Sequence, residues 1–85
     1  MKADDIKSRV VEIIRTVAPE VEAGEIRPDR PLRDQVDLDS MDWLRVIVAV
    51  HEKLRVDIPE KDYAKLRTLD DWALYLQPKL ERTAG

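Results

Sequence analysis

Near the start of the chain, Ile6, Val10, Ile13, Ile14 and Val17 recur at helical spacing, while Lys7, Arg9, Glu12 and Arg15 fall off that stripe. The pattern predicts an amphipathic helix over about 4–18. Asp4 or Asp5 is its expected N-cap, and Pro19 its stop, because the residue before a proline avoids the helical region. The period then disappears. Val21, Ile26, Leu32, Val36 and Leu38 stand singly among Gly24, Pro28 and Pro31, which predicts a long connection pinned onto the core by isolated aliphatics. Helical periodicity returns over 39–54. The β-branched run Val46-Ile47-Val48 is compatible with a strand, but neither proline nor glycine interrupts Ser40 to Leu54 and no partner strand is evident.

Asp39 is placed to cap this second helix, with Asp42 at its third position as a variant capping box. Both carboxylates then sit at the positive end of the helix dipole. Arg55-Val56-Asp57-Ile58 reads as an extended link, and Pro59 as the opening of a short helix over 59–66 that turns Tyr63 and Leu66 inward. Thr68 with Asp71 is a second capping box, heading a helix over about 68–77. That helix buries Leu69, Trp72, Ala73 and Leu76 and is expected to end before Pro78, leaving 79–85 as a flexible tail. The fold class expected is all-α: a four-helix bundle with a long first loop and a short third helix, one domain over residues 1–85.

Composition narrows the chemistry. With 85 residues the chain has room for one domain, and such a domain buries only about 60–65% of its unfolded surface. It contains no cysteine, so any thiol chemistry must arrive on an attached group. The net charge of -3, with both signs interspersed, offers no basic face for nucleic acid. The longest apolar run, Val46 to Val50, falls far short of the ~20 residues of a membrane span, and Met1-Lys2-Ala3-Asp4-Asp5 lacks the apolar core of a signal peptide. A cytoplasmic, soluble monomer is expected.

The unusual local feature is Asp37-Leu38-Asp39-Ser40-Met41-Asp42. An Asp39 cap leaves Ser40 at the first helical position, its hydroxyl turned to solvent. A phosphodiester formed there lies beside unpaired backbone N–H groups and the positive end of the dipole. Taken alone, the hexapeptide also fits an ordinary helix cap.

Asp39-Ser40-Met41-Asp42 resembles the attachment motif of acyl carrier proteins, Asp-Ser-Leu followed by an acid. The match runs without a gap from Leu32 through Leu76, including Val36, Ile58-Pro59 and Thr68-Leu69. The resemblance implies a non-catalytic carrier. Ser40 would receive 4′-phosphopantetheine from coenzyme A through a separate phosphopantetheinyl transferase, with Asp39 assisting the transferase and its metal ion. The terminal thiol of that arm would hold acyl groups for a synthetase, ketosynthase or acyltransferase of a fatty-acid, lipid or polyketide pathway. Core residues Val46, Val50, Leu54, Leu66 and Leu76 are the candidates to shelter the chain; no resident metal is implied.

Two positions depart from the family pattern. Asp37 stands where a glycine is common. The second helix, strongly acidic in typical members and docking there on basic patches of partner enzymes, here carries Arg45, His51, Lys53 and Arg55 among only Asp39, Asp42 and Glu52. Met41, Leu44 and Val48 should form an exposed apolar stripe beside Asp42, Arg45 and His51, a partner surface with a less usual charge.

Four other readings compete. A Ser40 nucleophile needs a base in reach, and His51, eleven residues along the same helix, lies roughly 16 Å away. The Asp34, Asp37, Asp39 and Asp42 cluster lacks the glycine and final glutamate of an EF-hand loop. A peptidyl or aminoacyl carrier shares fold and arm but typically places glycines where Asp37-Leu38 stands. A helical binding module without any arm also fits the pattern.

Overall fold

The computed structural model describes the backbone of residues 2–84 and the side chains as far as Glu81. Four α-helices, α1 (Ala3–Val17), α2 (Leu32–Gln35), α3 (Ser40–Leu54) and α4 (Leu69–Ala84), are joined by 3₁₀ segments at Ala23–Glu25, between α1 and α2, and at Glu60–Lys65, between α3 and α4; no strand occurs among the described residues. The fold is all-α, as the periodicity indicates.

Helix α1 packs its stripe of Ile6, Val10, Val11, Ile13 and Ile14 against α4 and α3. It begins at Ala3, with Lys2 rather than Asp4 or Asp5 in the cap position, and no side chain caps it. Both aspartates instead lie within the first turn, where carboxylates favour the dipole without closing a hydrogen bond. Lys7 reaches across to Asp70 at 2.6 Å and ties α1 to α4. That hydrogen bond raises the Lys7 pKa above its ordinary value against the opposing effect of burial.

The long connection is more ordered than its irregular spacing suggests. Gln35 accepts from the Arg27 N–H (2.6 Å) and donates to the carbonyls of Arg27 (2.9 Å) and Arg30 (3.0 Å), folding the loop around one amide. The Leu32 N–H donates to the Arg67 carbonyl and the Asp70 N–H to the Pro28 carbonyl, so the loop is stapled to the start of α4. Leu32, Val36 and Leu38 are buried; a fully buried leucine contributes about 1.5–3 kcal/mol.

Helix α3 buries Val46, Ile47, Val50 and Leu54, and stops at Arg55 in the left-handed region (φ 55°, ψ 48°). Its N–H returns to the His51 carbonyl, closing the helix as a C-cap residue commonly does. The link then turns Val56 and Ile58 inward. The expected third helix is a 3₁₀ segment over Glu60–Lys65, with Pro59 extended ahead of it rather than within it. Tyr75 donates to Asp62 at 2.6 Å and fastens this segment to α4.

Helix α4 corrects the expectation at Pro78, for it continues through the proline to Ala84, so residues 79–84 are helix rather than tail. Residue 85 lies outside the described residues. Proline removes the hydrogen bond to the carbonyl four residues earlier. Both Pro78 and Leu74, which carries that carbonyl, are exposed, so water can take it. Leu80, packed against the core, holds the continuation in place. The reciprocal capping box at the head of α4 forms as expected, with Asp71 N–H to Thr68 Oγ1 at 2.9 Å and Thr68 N–H to Asp71 Oδ2 at 3.1 Å.

Candidate functional site

Asp39 precedes α3 in an extended conformation and its Oδ1 accepts the Asp42 N–H at 2.8 Å. Its carbonyl accepts the Trp43 N–H at 2.9 Å, the first bond of the helix. The return half of the expected box does not form, because the Asp42 carboxylate faces Arg45 instead, at 3.6 Å. Ser40 is consequently the first residue of a fifteen-residue helix, and it is exposed. The N–H groups of Ser40 and Met41 precede the first helical bond and find no acceptor among the described residues. An exposed hydroxyl beside two unpaired donors and the positive helix end suits an attached phosphate. The residues present therefore fit a phosphopantetheine arm.

His51 is exposed at the far end of α3. Its Nδ1 lies 2.6 Å from the Val56 carbonyl; a carbonyl only accepts, so Nδ1 carries the proton. That partner, together with the helical separation, keeps it from acting on Ser40. Met41, Leu44 and Val48 are 64%, 43% and 42% exposed and form the expected apolar ridge along α3. Arg45 flanks it, largely in solvent despite its pairing with Asp42.

The five aliphatics expected to shelter a chain are all buried core residues. Two grooves open on either side of the 3₁₀ segment. The larger, about 560 Å³, runs between Ile47, Val48 and His51 of α3, the Ile58-Pro59 link and Tyr63. The smaller, about 270 Å³, is bordered by Trp43, Tyr63, Leu66, Arg33 and Arg67. Leu66 borders the second groove, whereas Val46, Val50, Leu54 and Leu76 border neither. Ile47, Ile58, Tyr63 and Trp43 were not among the expected site residues. One signal in the sequence could have flagged Trp43: it follows Ser40 by three positions, and it is one of only two tryptophans.

The Tyr75–Asp62 hydrogen bond fastens the 3₁₀ segment that carries Tyr63, the residue common to both grooves. It holds the Asp62 carboxyl below the usual carboxylate range, helped by Lys65 at 3.4 Å. Burial, then the same carboxylate, pushes the Tyr75 phenol well above its ordinary value. Among the described residues no group of three or more His, Cys, Asp or Glu side chains is arranged to hold a metal, and no helix is long and apolar enough to cross a membrane.

Residues 8–76 match the family model described as a phosphopantetheine attachment site. The chain is 37% identical over 78 residues to the meromycolate extension acyl carrier protein of Mycobacterium leprae (strain TN), covering 92% of this chain and 66% of that protein. It thus spans slightly under two thirds of that relative's length. With the protein of the same name from Mycolicibacterium smegmatis the identity is 36% over 78 residues, 92% of this chain and 77% of the relative. The acyl carrier protein of Acidothermus cellulolyticus is 30% identical over 76 residues, 89% of each chain.

Proposed function

The chain belongs to the acyl carrier protein family, and we propose that Ser40 is the residue that bears its 4′-phosphopantetheine. The observation carrying this assignment is the exposed Ser40 hydroxyl at the head of α3, next to the unpaired Ser40 and Met41 N–H groups. When bound, the arm supplies a terminal thiol that holds acyl groups as thioesters, which this cysteine-free chain cannot supply itself.

The chain's own residues then have distinct tasks. Asp39 fixes the helix start by accepting the Asp42 N–H, so the Ser40 hydroxyl is presented in one place. The same carboxylate, at the protein surface, assists a phosphopantetheinyl transferase and its metal ion during modification. The Ser40 and Met41 N–H groups and the helix dipole favour the negative phosphodiester. Met41, Leu44 and Val48, with Asp42, Arg45 and His51, form the surface on which a synthetase, ketosynthase or acyltransferase docks. Val46, Val50, Leu54, Leu66 and Leu76 form the apolar interior against which cargo shelters. The protein itself is a non-catalytic carrier working in the cytoplasm as a monomer.

The relatives' name, meromycolate extension acyl carrier protein, supports a specialised lipid pathway as the setting. Asp37-Leu38 ahead of the motif favours an acyl cargo over a peptidyl or aminoacyl one. The test is incubation with coenzyme A and a promiscuous transferase. The wild-type chain is expected to gain the mass of one phosphopantetheinyl unit and the Ser40→Ala variant none. No gain in the wild type, or an equal gain in both, overturns the assignment.

A further inference from the structure

Trp72 has a buried polar group that the carrier function leaves unused. The side chain is fully buried, yet its indole Nε1–H, alone among the buried side-chain polar atoms described, finds no partner in the protein. Its ring packs edge to face against Trp43, with centroids 6.2 Å apart and planes at 72°. Trp43 in turn borders the smaller groove together with Tyr63 and Leu66, and it lies only about 4.5 Å along the helix axis from Ser40. One half-buried ring, Trp43, therefore borders a groove at the attachment end of α3 and packs against the buried ring that carries the unpaired donor.

An indole N–H can only donate. A saturated chain entering beside it brings no acceptor, whereas a chain bearing an oxygen does. We propose that the groove beside Trp43 admits cargo toward Trp72, and that the cargo favoured is an acyl chain carrying a keto or hydroxyl oxygen, which accepts from Trp72 Nε1–H. The site rests on the assignment of the arm to Ser40. Trp43 moves aside as the chain enters; Tyr63 and Leu66 line its apolar portion.

The two indole N–H resonances of the ¹⁵N-labelled holo protein report on this directly. Loaded with a 3-oxooctanoyl chain, the Trp72 indole proton is expected to move downfield of its position with an octanoyl chain, by more than its linewidth. Equal positions with both cargoes assign the acceptor to the shared thioester carbonyl or to solvent, and overturn the proposal. Trp72→Phe keeps a ring and removes the donor. The ratio of wild-type to variant protection of the thioester against hydroxylamine is expected to be about 2- to 10-fold larger for the oxo chain, the equivalent of one hydrogen bond; equal ratios overturn it.

The wild-type spectra decide the matter even where the variant folds poorly. Adding 3-oxooctanoyl-pantetheine and octanoyl-pantetheine separately to the unmodified chain repeats the comparison without Ser40. A missing mass gain at Ser40 thus refutes the attachment alone. Identical indole positions with the two free thioesters refute the oxygen-accepting groove.

Discussion

At the scale of single residues, the cap that Asp39 forms and the role proposed for its carboxylate in transfer of the arm can be separated by substitution. Asparagine caps a helix about as well as aspartate, whereas alanine loses roughly 1 kcal/mol. Asp39→Asn should therefore melt with the wild type. Asp39→Ala should melt lower, by about 4–8 °C for a domain of this size. Loss of the carboxylate charge should slow transfer of the arm in both variants, measured as initial rate by mass spectrometry. An Asp39→Asn protein modified at the wild-type rate would confine Asp39 to capping. Ser40 and Asp39 were legible in the sequence because a cap is decided within three residues. Asp42 was read only in part, since its carboxylate has a choice between the Asp39 backbone and Arg45, and spacing alone does not decide between them.

At the scale of elements, the 3₁₀ segment depends on one cross-link. The Asp62 pKa lies below its unfolded value, so its contribution to stability is present above the ordinary carboxylate range and is lost as pH falls through the lowered folded value. The Tyr75 pKa is raised, so its contribution is complete below the ordinary phenol value and is lost as pH rises beyond it. Tyr75→Phe should flatten both limbs, so that its Tm deficit at neutral pH narrows toward pH 2 and toward strongly alkaline pH. A deficit that does not change with pH would assign Tyr75 to packing alone.

The same helix holds the element that spacing misjudged. Spacing makes Pro78 a stop because proline disfavours a helix interior, but the packing of Leu80 on the core and the exposed position of Leu74 let α4 run on. Pro78→Ala is thus expected to stabilise the protein, by up to about 3 kcal/mol, read from urea unfolding. An unchanged midpoint would mean that the helix had already relaxed around the ring. Helices α1 and α3 were readable because each carries its own stripe. The α2 turn was not, because its order comes from Gln35 and from bonds to Arg67 and Asp70, far along the chain.

At the scale of the whole molecule, the sequence showed an apolar ridge but not the grooves beside it. Trp43, Tyr63 and Leu66 come from different segments, and no periodicity records that they meet. The ridge is a different case: Met41, Leu44 and Val48 share one exposed face of one helix, so their spacing sufficed. What that face presents is charge of mixed sign, although the chain as a whole carries -3. Arg45 projects beside the ridge, its own carboxylate partner 3.6 Å away and only partly neutralising it. An enzyme whose docking site is basic meets a cation there, which slows encounter at low salt more than it weakens the seated complex. Arg45→Glu should therefore raise the rate at which a housekeeping ketosynthase with a basic docking site accepts the acylated carrier. The gain should be largest at low ionic strength and fade as salt screens it. Arg45→Gln should fall between. Because an exposed ion pair contributes little to folding, the melting points of the three proteins should nearly coincide, so a rate difference reports docking. A reversal that gives no gain at low salt would remove Arg45 from partner choice and leave the apolar ridge alone to make it.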